Sequence, residues 1–329
     1  MSIDIIRSEI TRFLQSSTPE VMAIKGSWGV GKTYSWNKFL VDAKKNKSIA
    51  LGKYSYVSLF GLNSLDAFKC SIFEQVVDKS LIGSNASVQT FTDNTLSSIG
   101  SAGRKSISLF GGGLLSKGLS PAAIQSLSFL WLNETLICID DLERKGSSLS
   151  IKDVLGLVSL LKEQKKCKIV LLLNDGEDGL DDYAKYREEV IDIELQFDPT
   201  AKECAAIAFD VKDPVITLLS EFTQKLDIRN IRILKKIERL VKLVVPVLQG
   251  FEHDLVSLVV QSLTLFSWCY YCGKDRKDIP PLDYVAKLGY TPWATSDEQL
   301  QDEEHTKWNL LLKNYGYYQT DDPDCLTHL

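Results

Sequence analysis

The run Gly26-Ser27-Trp28-Gly29-Val30-Gly31-Lys32-Thr33 limits what this chain can fold into more than any other segment. It follows the apolar stretch Val21-Met22-Ala23-Ile24 and precedes a segment in which Trp36, Leu40 and Ala43 recur at helical spacing. The glycines therefore fall between a strand and a helix. Gly26 and Gly31 let the backbone turn its N–H groups inward around a polyphosphate, and the N-terminus of the following helix adds favourable partial charge. Lys32 is then placed to reach β- and γ-phosphates, and the Thr33 hydroxyl to hold Mg²⁺. The expected nucleotide-binding set runs from Gly26 through Ser27, Trp28, Gly29, Val30, Gly31, Lys32 and Thr33 to Tyr34.

With 329 residues, 44% of them hydrophobic and 25% charged, the chain has the composition of a soluble globular protein of about two domains. The net charge of −5 gives no global pull toward nucleic acid. Seven cysteines, scattered and odd in number, fit a reducing cytoplasm. Ile3, Ile6, Ile10 and Phe13 share one face of an amphipathic start that also carries Asp4 and Glu9. That start reads as a helix packed on the domain rather than as a signal peptide.

Five strand candidates, 21–25, 54–60, 136–140, 168–174 and 190–197, alternate with helical patterns. Such alternation predicts a mostly parallel sheet with helices on both faces. Ser150 and Asp153 form a capping pattern ahead of the stripe Val154, Leu157, Val158 and Leu161.

The strand Leu136-Ile137-Cys138-Ile139 ends in Asp140-Asp141. Two acids after a strand also make a turn or a helix cap. Coupled to an upstream phosphate loop, Asp140 becomes the Mg²⁺ candidate and Asp141 the candidate base for an attacking water, with Glu143 as the fallback acid. The strand from Lys168 to Leu173 ends in Asn174-Asp175-Gly176, which reads either as a turn or as a γ-phosphate sensor carried by Asn174. No Asn/Thr-Lys-x-Asp motif marks a guanine site, so ATP is the expected nucleotide.

After Pro199 the pattern is helical throughout, with Thr200 and Glu203 in capping-box spacing and Asn230 opening a helix. Arg232 at that helix start is the expected γ-phosphate contact from an all-helical lid, with Arg229, Arg144 and Arg187 as alternatives. The domain boundaries are set at 1–198 for the nucleotide domain, with a Ser/Gly-rich insertion near 80–130, and 199–329 for the lid and C-terminal part. Interrupted by Lys117, Pro121 and Gly111-Gly112-Gly113, that insertion is a poor membrane span and suits a loop or partner-binding segment. Cys269-Tyr270-Tyr271-Cys272 ends an apolar helix and has no second ligand pair, which favours a structural role.

The order of motifs is specific. Lys25-Gly26-Ser27-Trp28-Gly29-Val30-Gly31-Lys32-Thr33, Tyr56-Val57-Ser58-Leu59-Phe60-Gly61, Ile139-Asp140-Asp141-Leu142-Glu143-Arg144, Leu171-Leu172-Leu173-Asn174-Asp175 and Asn230-Ile231-Arg232 together resemble the KAP-type P-loop NTPases. The resemblance covers about residues 1–250. It implies an α/β fold with a five-stranded sheet of order 5-1-4-3-2, an ATP and Mg²⁺ site between sheet and helical lid, and regulated assembly. By kinship it also implies a part in anti-phage defence, acting as a homo-oligomer or through a separate effector. The alternative reading is a slow nucleotide switch or scaffold with little turnover.

Overall fold

The structure is a computed structural model that describes residues 3–83, 132–174, 181–210, 212–288 and 303–317. Most of the 80–130 insertion, Asp175 and Gly176 lie outside the described residues. The chain divides into two compact units, Met1–Asp198 and Pro199–Leu329.

The first unit begins with helix α1 (Ile3–Gln15), strand β1 (Val21–Gly26) and helix α2 (Lys32–Lys45), followed by β2 (Lys53–Ser58), α3 (Leu65–Glu74) and the short β3 (Val77–Asp78). It continues through β4 (Thr135–Asp140), α4 (Ile151–Glu163), β5 (Lys168–Asn174), α5 (Asp181–Val190) and β6 (Ile193–Gln196). Among the described residues the sheet has six strands in the order β3-β2-β4-β5-β1-β6. This corrects the expected count of five and the expected order, because β3 is added outside β2. Val77 and Asp78 pair antiparallel with Tyr54 and Lys53, whereas the other strand pairs are parallel.

Two apolar clusters sandwich this sheet. One face packs Ile137, Ile139, Ile169, Leu171 and Leu173 against Phe68, Val154, Val158 and Leu161 from α3 and α4. The other packs Met22, Ile24, Cys138, Val170 and Leu172 against Ile6, Ile10 and Phe13 of α1 and Trp36, Phe39 and Leu40 of α2. Every residue of β4 and β5 is buried, which is the condition of central strands covered on both faces. The Trp36 indole N–H donates to the Tyr54 hydroxyl at 3.0 Å and ties α2 to β2. Lys168, at the start of β5, hides its ammonium by donating to the Thr18 carbonyl and to Glu20, over the face of Phe13.

Among its described residues the second unit is helical: α6 (Ala201–Ala208), α7 (Pro214–Lys225), α8 (Ile231–Val244), α9 (His253–Cys272), α10 (Leu282–Leu288) and α11 (Glu303–Tyr315). Thr200 caps α6 in a reciprocal box with Glu203, and Asn230 caps α8 by accepting from the N–H groups of Arg232 and Ile233. Its core joins Leu219, Phe222, Leu234, Ile237, Val241, Leu265, Trp268 and Leu312. Helix α9 is long and apolar enough to cross a membrane by length and composition. Its Val260, Leu265, Trp268 and Cys269 pack into this core, and a third of its most apolar stretch is buried. Burial pushes the Cys269 thiol up to about 12 and also raises that of Cys272, which makes both poor thiolates.

Candidate functional site

The loop between β1 and α2 is shaped by two glycines in left-handed backbone, Gly29 at φ 85° and Gly31 at φ 94°. L-residues with a β-carbon are strained there, so the loop needs glycine at both places to turn its amides. Gly31 is the N-cap of α2, and its carbonyl accepts the Ser35 N–H at 2.8 Å, the first turn of the helix. Val30 is buried and pins the loop to the core, while Ser27, Trp28 and Tyr34 are exposed. A β-carbon on Gly26 would overlap the carbonyl oxygen of Phe197, so close backbone approach dictates the glycine.

Lys32, the first residue of α2, is buried, and its ammonium donates to three acceptors: the Gly26 carbonyl at 2.6 Å, the Ser27 carbonyl at 3.0 Å and the Asn174 side-chain oxygen at 2.6 Å. A buried cation demands such partners, and the loop curls its carbonyls inward to provide them. Asn174 is the last residue of β5. The parallel register of β1 and β5 sets Gly26 beside Asn174, which is how the tip of one strand meets the start of the loop on the next.

Asp140 ends β4. Its Oδ2 accepts the Thr33 hydroxyl at 2.7 Å and the Tyr56 hydroxyl at 2.8 Å. Burial, with the Asp140 carboxylate beside it, holds the Tyr56 phenol well above its ordinary range, so it stays a donor. Asp140 Oδ1 accepts the Asp141 backbone N–H at 2.9 Å.

Asp141 turns away. Its backbone is left-handed (φ 58°, ψ 39°), which aspartate tolerates better than most residues. Its carboxylate accepts the Ser58 hydroxyl at 2.7 Å and lies 3.7 Å from the Arg144 guanidinium, which stacks over Phe60. The left-handed turn leads into a 3₁₀ turn, Leu142–Arg144, anchored by buried Leu142. Glu143 is thereby carried to the tip of β5, where Oε1 accepts the Asn174 side-chain N–H. Its other oxygen, Oε2, is buried and accepts no hydrogen bond. Burial raises the Glu143 carboxyl above its ordinary value, and the neighbouring Asp141 and Asp140 add to the rise, against the hydrogen bonds from its own backbone and Asn174.

The structure thus brings Lys32, Thr33, Asp140 and Asn174 into one network at the loop. Asp141 borders it through Asp140. Arg232 belongs to the second unit, exposed in the first turn of α8. Of the alternatives, Arg187 lies 3.5 Å from Glu194 and Arg229 pairs with Asp227. Two participants are not marked by the sequence, Tyr56 and Ser58, which hold the two aspartates, while Glu143, expected only as the fallback acid, is linked to Asn174. Tyr56 and Ser58 are two apart on β2 and so share one face of a strand. That alternation was the available signal. The register that sets Ser58 beside Asp140 was not readable from one chain.

A glycine loop from strand to helix, with a parallel neighbouring strand carrying Asn174 and the next carrying Asp140, decides the architecture. The first unit is a mostly parallel α/β sheet in which a glycine-rich loop leads from β1 into α2. No family model and no curated protein matches the sequence. Among solved structures, a chain of the Drosophila ORC bound to DNA is similar over 99% of this chain and 76% of that one, with TM-score 0.44 and 11% identity. The Aeropyrum pernix ORC1 protein in complex with DNA aligns over 99% and 82%, with TM-score 0.42 and 14% identity. A Thermotoga maritima RuvB variant aligns over 87% and 79%, with TM-score 0.40 and 11% identity. The fold assignment rests on the strand order and the loop.

Proposed function

We propose that this chain is a Mg²⁺-dependent P-loop NTPase that binds and hydrolyses ATP and couples its nucleotide state to assembly, with copies of itself or with a separate effector protein. The observation that carries the reading is the meeting of Lys32 and Thr33 with Asp140 and Asn174, residues more than a hundred positions away, through hydrogen bonds at the mouth of one glycine loop. Structural packing alone has no need to gather an ammonium, an amide, a hydroxyl and a carboxylate at one loop.

The donor set suits Mg²⁺. Thr33 and Asp140 offer hard oxygens 2.7 Å apart, and a Mg²⁺ site of this class uses one or two protein ligands, substrate phosphates and water. When bound, the ion would neutralise charge on the phosphates. Tyr56 donates to the same Asp140 oxygen as Thr33 and helps fix that carboxylate, as outer hydrogen bonds do in metal sites. Lys32 exchanges its loop carbonyls for phosphate oxygens, and the loop amides cradle the remaining charge.

The absence of a guanine-reading motif in the sequence supports ATP. The motif order shared with KAP-type P-loop NTPases supports regulated assembly and a role in anti-phage defence. The test is ATP turnover as a function of protein concentration, with ADP·fluoride trapping followed by mass photometry. Turnover that rises per molecule with concentration, together with a mass increase on trapping, is expected. Binding with negligible turnover would favour the slow switch, and lack of ATP binding by calorimetry would overturn the reading.

A further inference from the structure

Two acids follow Asp140, and their surroundings differ. Asp141 has its carboxylate occupied by the Ser58 hydroxyl and flanked by Arg144. Glu143 has one oxygen fixed by Asn174 and the other buried without a partner, three residues from the β4 tip and one hydrogen bond from the residue that holds Lys32. A carboxylate oxygen buried without a donor is costly unless something occupies it during function.

Resting on the ATPase reading above, we infer that Glu143, rather than Asp141, is the catalytic residue that accepts the proton of the attacking water. In this step the water oxygen forms a bond to the γ-phosphorus while the bond from that phosphorus to the β–γ bridging oxygen breaks. The bonding electron pair leaves with ADP, and the water proton passes to Glu143 Oε2. Asn174 is the positioning residue. By donating to Oε1 it leaves Oε2 as the oxygen without a hydrogen bond, and by accepting from Lys32 it ties that carboxylate to the arm that meets the phosphate. Burial raises the basicity of Glu143, which favours proton acceptance from water. The left-handed backbone at Asp141 gains a reason here, since the turn it starts delivers Glu143 to the tip of β5.

The test compares Glu143→Gln with Asp141→Asn in the full chain. Single-turnover hydrolysis of radiolabelled ATP is measured alongside calorimetric affinity for a non-hydrolysable analogue. Glu143→Gln should slow hydrolysis by about 10²-fold or more while analogue affinity stays within about threefold, and Asp141→Asn should slow it by less than about tenfold. A wild-type rate in Glu143→Gln, or a larger loss in Asp141→Asn, overturns the assignment. If Glu143→Gln fails to bind the analogue, Glu143→Asp replaces it: a fall of about tenfold or more supports the assignment, and an unchanged rate overturns it. A wild-type chain that binds no ATP, or binds it without hydrolysing it, defeats the reading beneath, whereas wild-type hydrolysis that Glu143→Gln leaves unchanged defeats Glu143 alone.

Discussion

The two units offer contrasting examples of buried polar side chains. In the second, Thr223 donates to the Ser220 carbonyl, Thr264 to the Val260 carbonyl, and Glu238 accepts from Lys235 and Lys242. Each of these partners lies three or four residues away on the same helix. In the first unit, buried Lys32, Asp140 and Asn174 find partners on other elements, some more than a hundred residues distant. Local satisfaction keeps a helix intact and asks nothing of the fold. At the loop, that long-range satisfaction exists only once the sheet has formed, and it gathers an ammonium, an amide, a hydroxyl and a carboxylate in one place.

If that contrast is real, its largest consequence follows from Lys32→Ala. The variant should bind ATP at least about 100-fold more weakly by calorimetry while circular dichroism shows the native fold, because it removes the charge-assisted contacts to phosphate. Unchanged affinity would reduce the network to packing. Next comes Asn174→Ala, expected to slow single-turnover hydrolysis by about 10- to 100-fold with affinity altered only severalfold, since it loosens Glu143 more than it weakens the loop. A purely structural amide would instead lower thermal stability and leave the rate per bound ATP intact.

Thr33→Ala sharpens the comparison on the metal side. It should reduce the gain in ATP affinity that Mg²⁺ gives by about tenfold, read as calorimetric titrations with Mg²⁺ and with EDTA, and chelation should abolish turnover in the native chain. The smallest effect belongs to the second unit. Thr264→Val removes a hydroxyl bonded within its own helix, so urea unfolding should shift by no more than about 1 kcal/mol and nucleotide affinity should not change. A large loss of affinity there would erase the distinction between the two units.

Much of the first unit was legible because its strands are long apolar runs that stop at a polar residue. Ile169 to Leu173 followed by Asn174, and Leu136 to Ile139 followed by Asp140, announce both the strand and the end of it that faces the loop. The β3 strand was not legible, since two residues have no period and Val77-Asp78 pairs only because β2 presents an open edge. The roles of Tyr56 and Ser58 depend on which strand sits beside β2, a property of sheet order rather than of local pattern. Glu143 ranked second because adjacency makes Asp141 look equivalent to Asp140, whereas the left-handed backbone of Asp141 itself turns its carboxylate to Ser58 and leads the chain on to Glu143.

The contact between Gly26 and the Phe197 carbonyl bears on how this loop can be engineered. Position 26 opens the glycine motif, so it is a natural target for a randomised library meant to alter nucleotide preference. Yet the obstacle there is main chain, and Phe197 is itself buried and held by a backbone hydrogen bond from its N–H to the Lys25 carbonyl at 2.6 Å. Neither side can retreat without parting the two segments, so every library member except glycine would be sorted first by whether it folds. Selection at that position would report protein yield, and the residues where ligand preference can be varied without that confounding are the exposed ones of the same loop, Ser27 and Trp28.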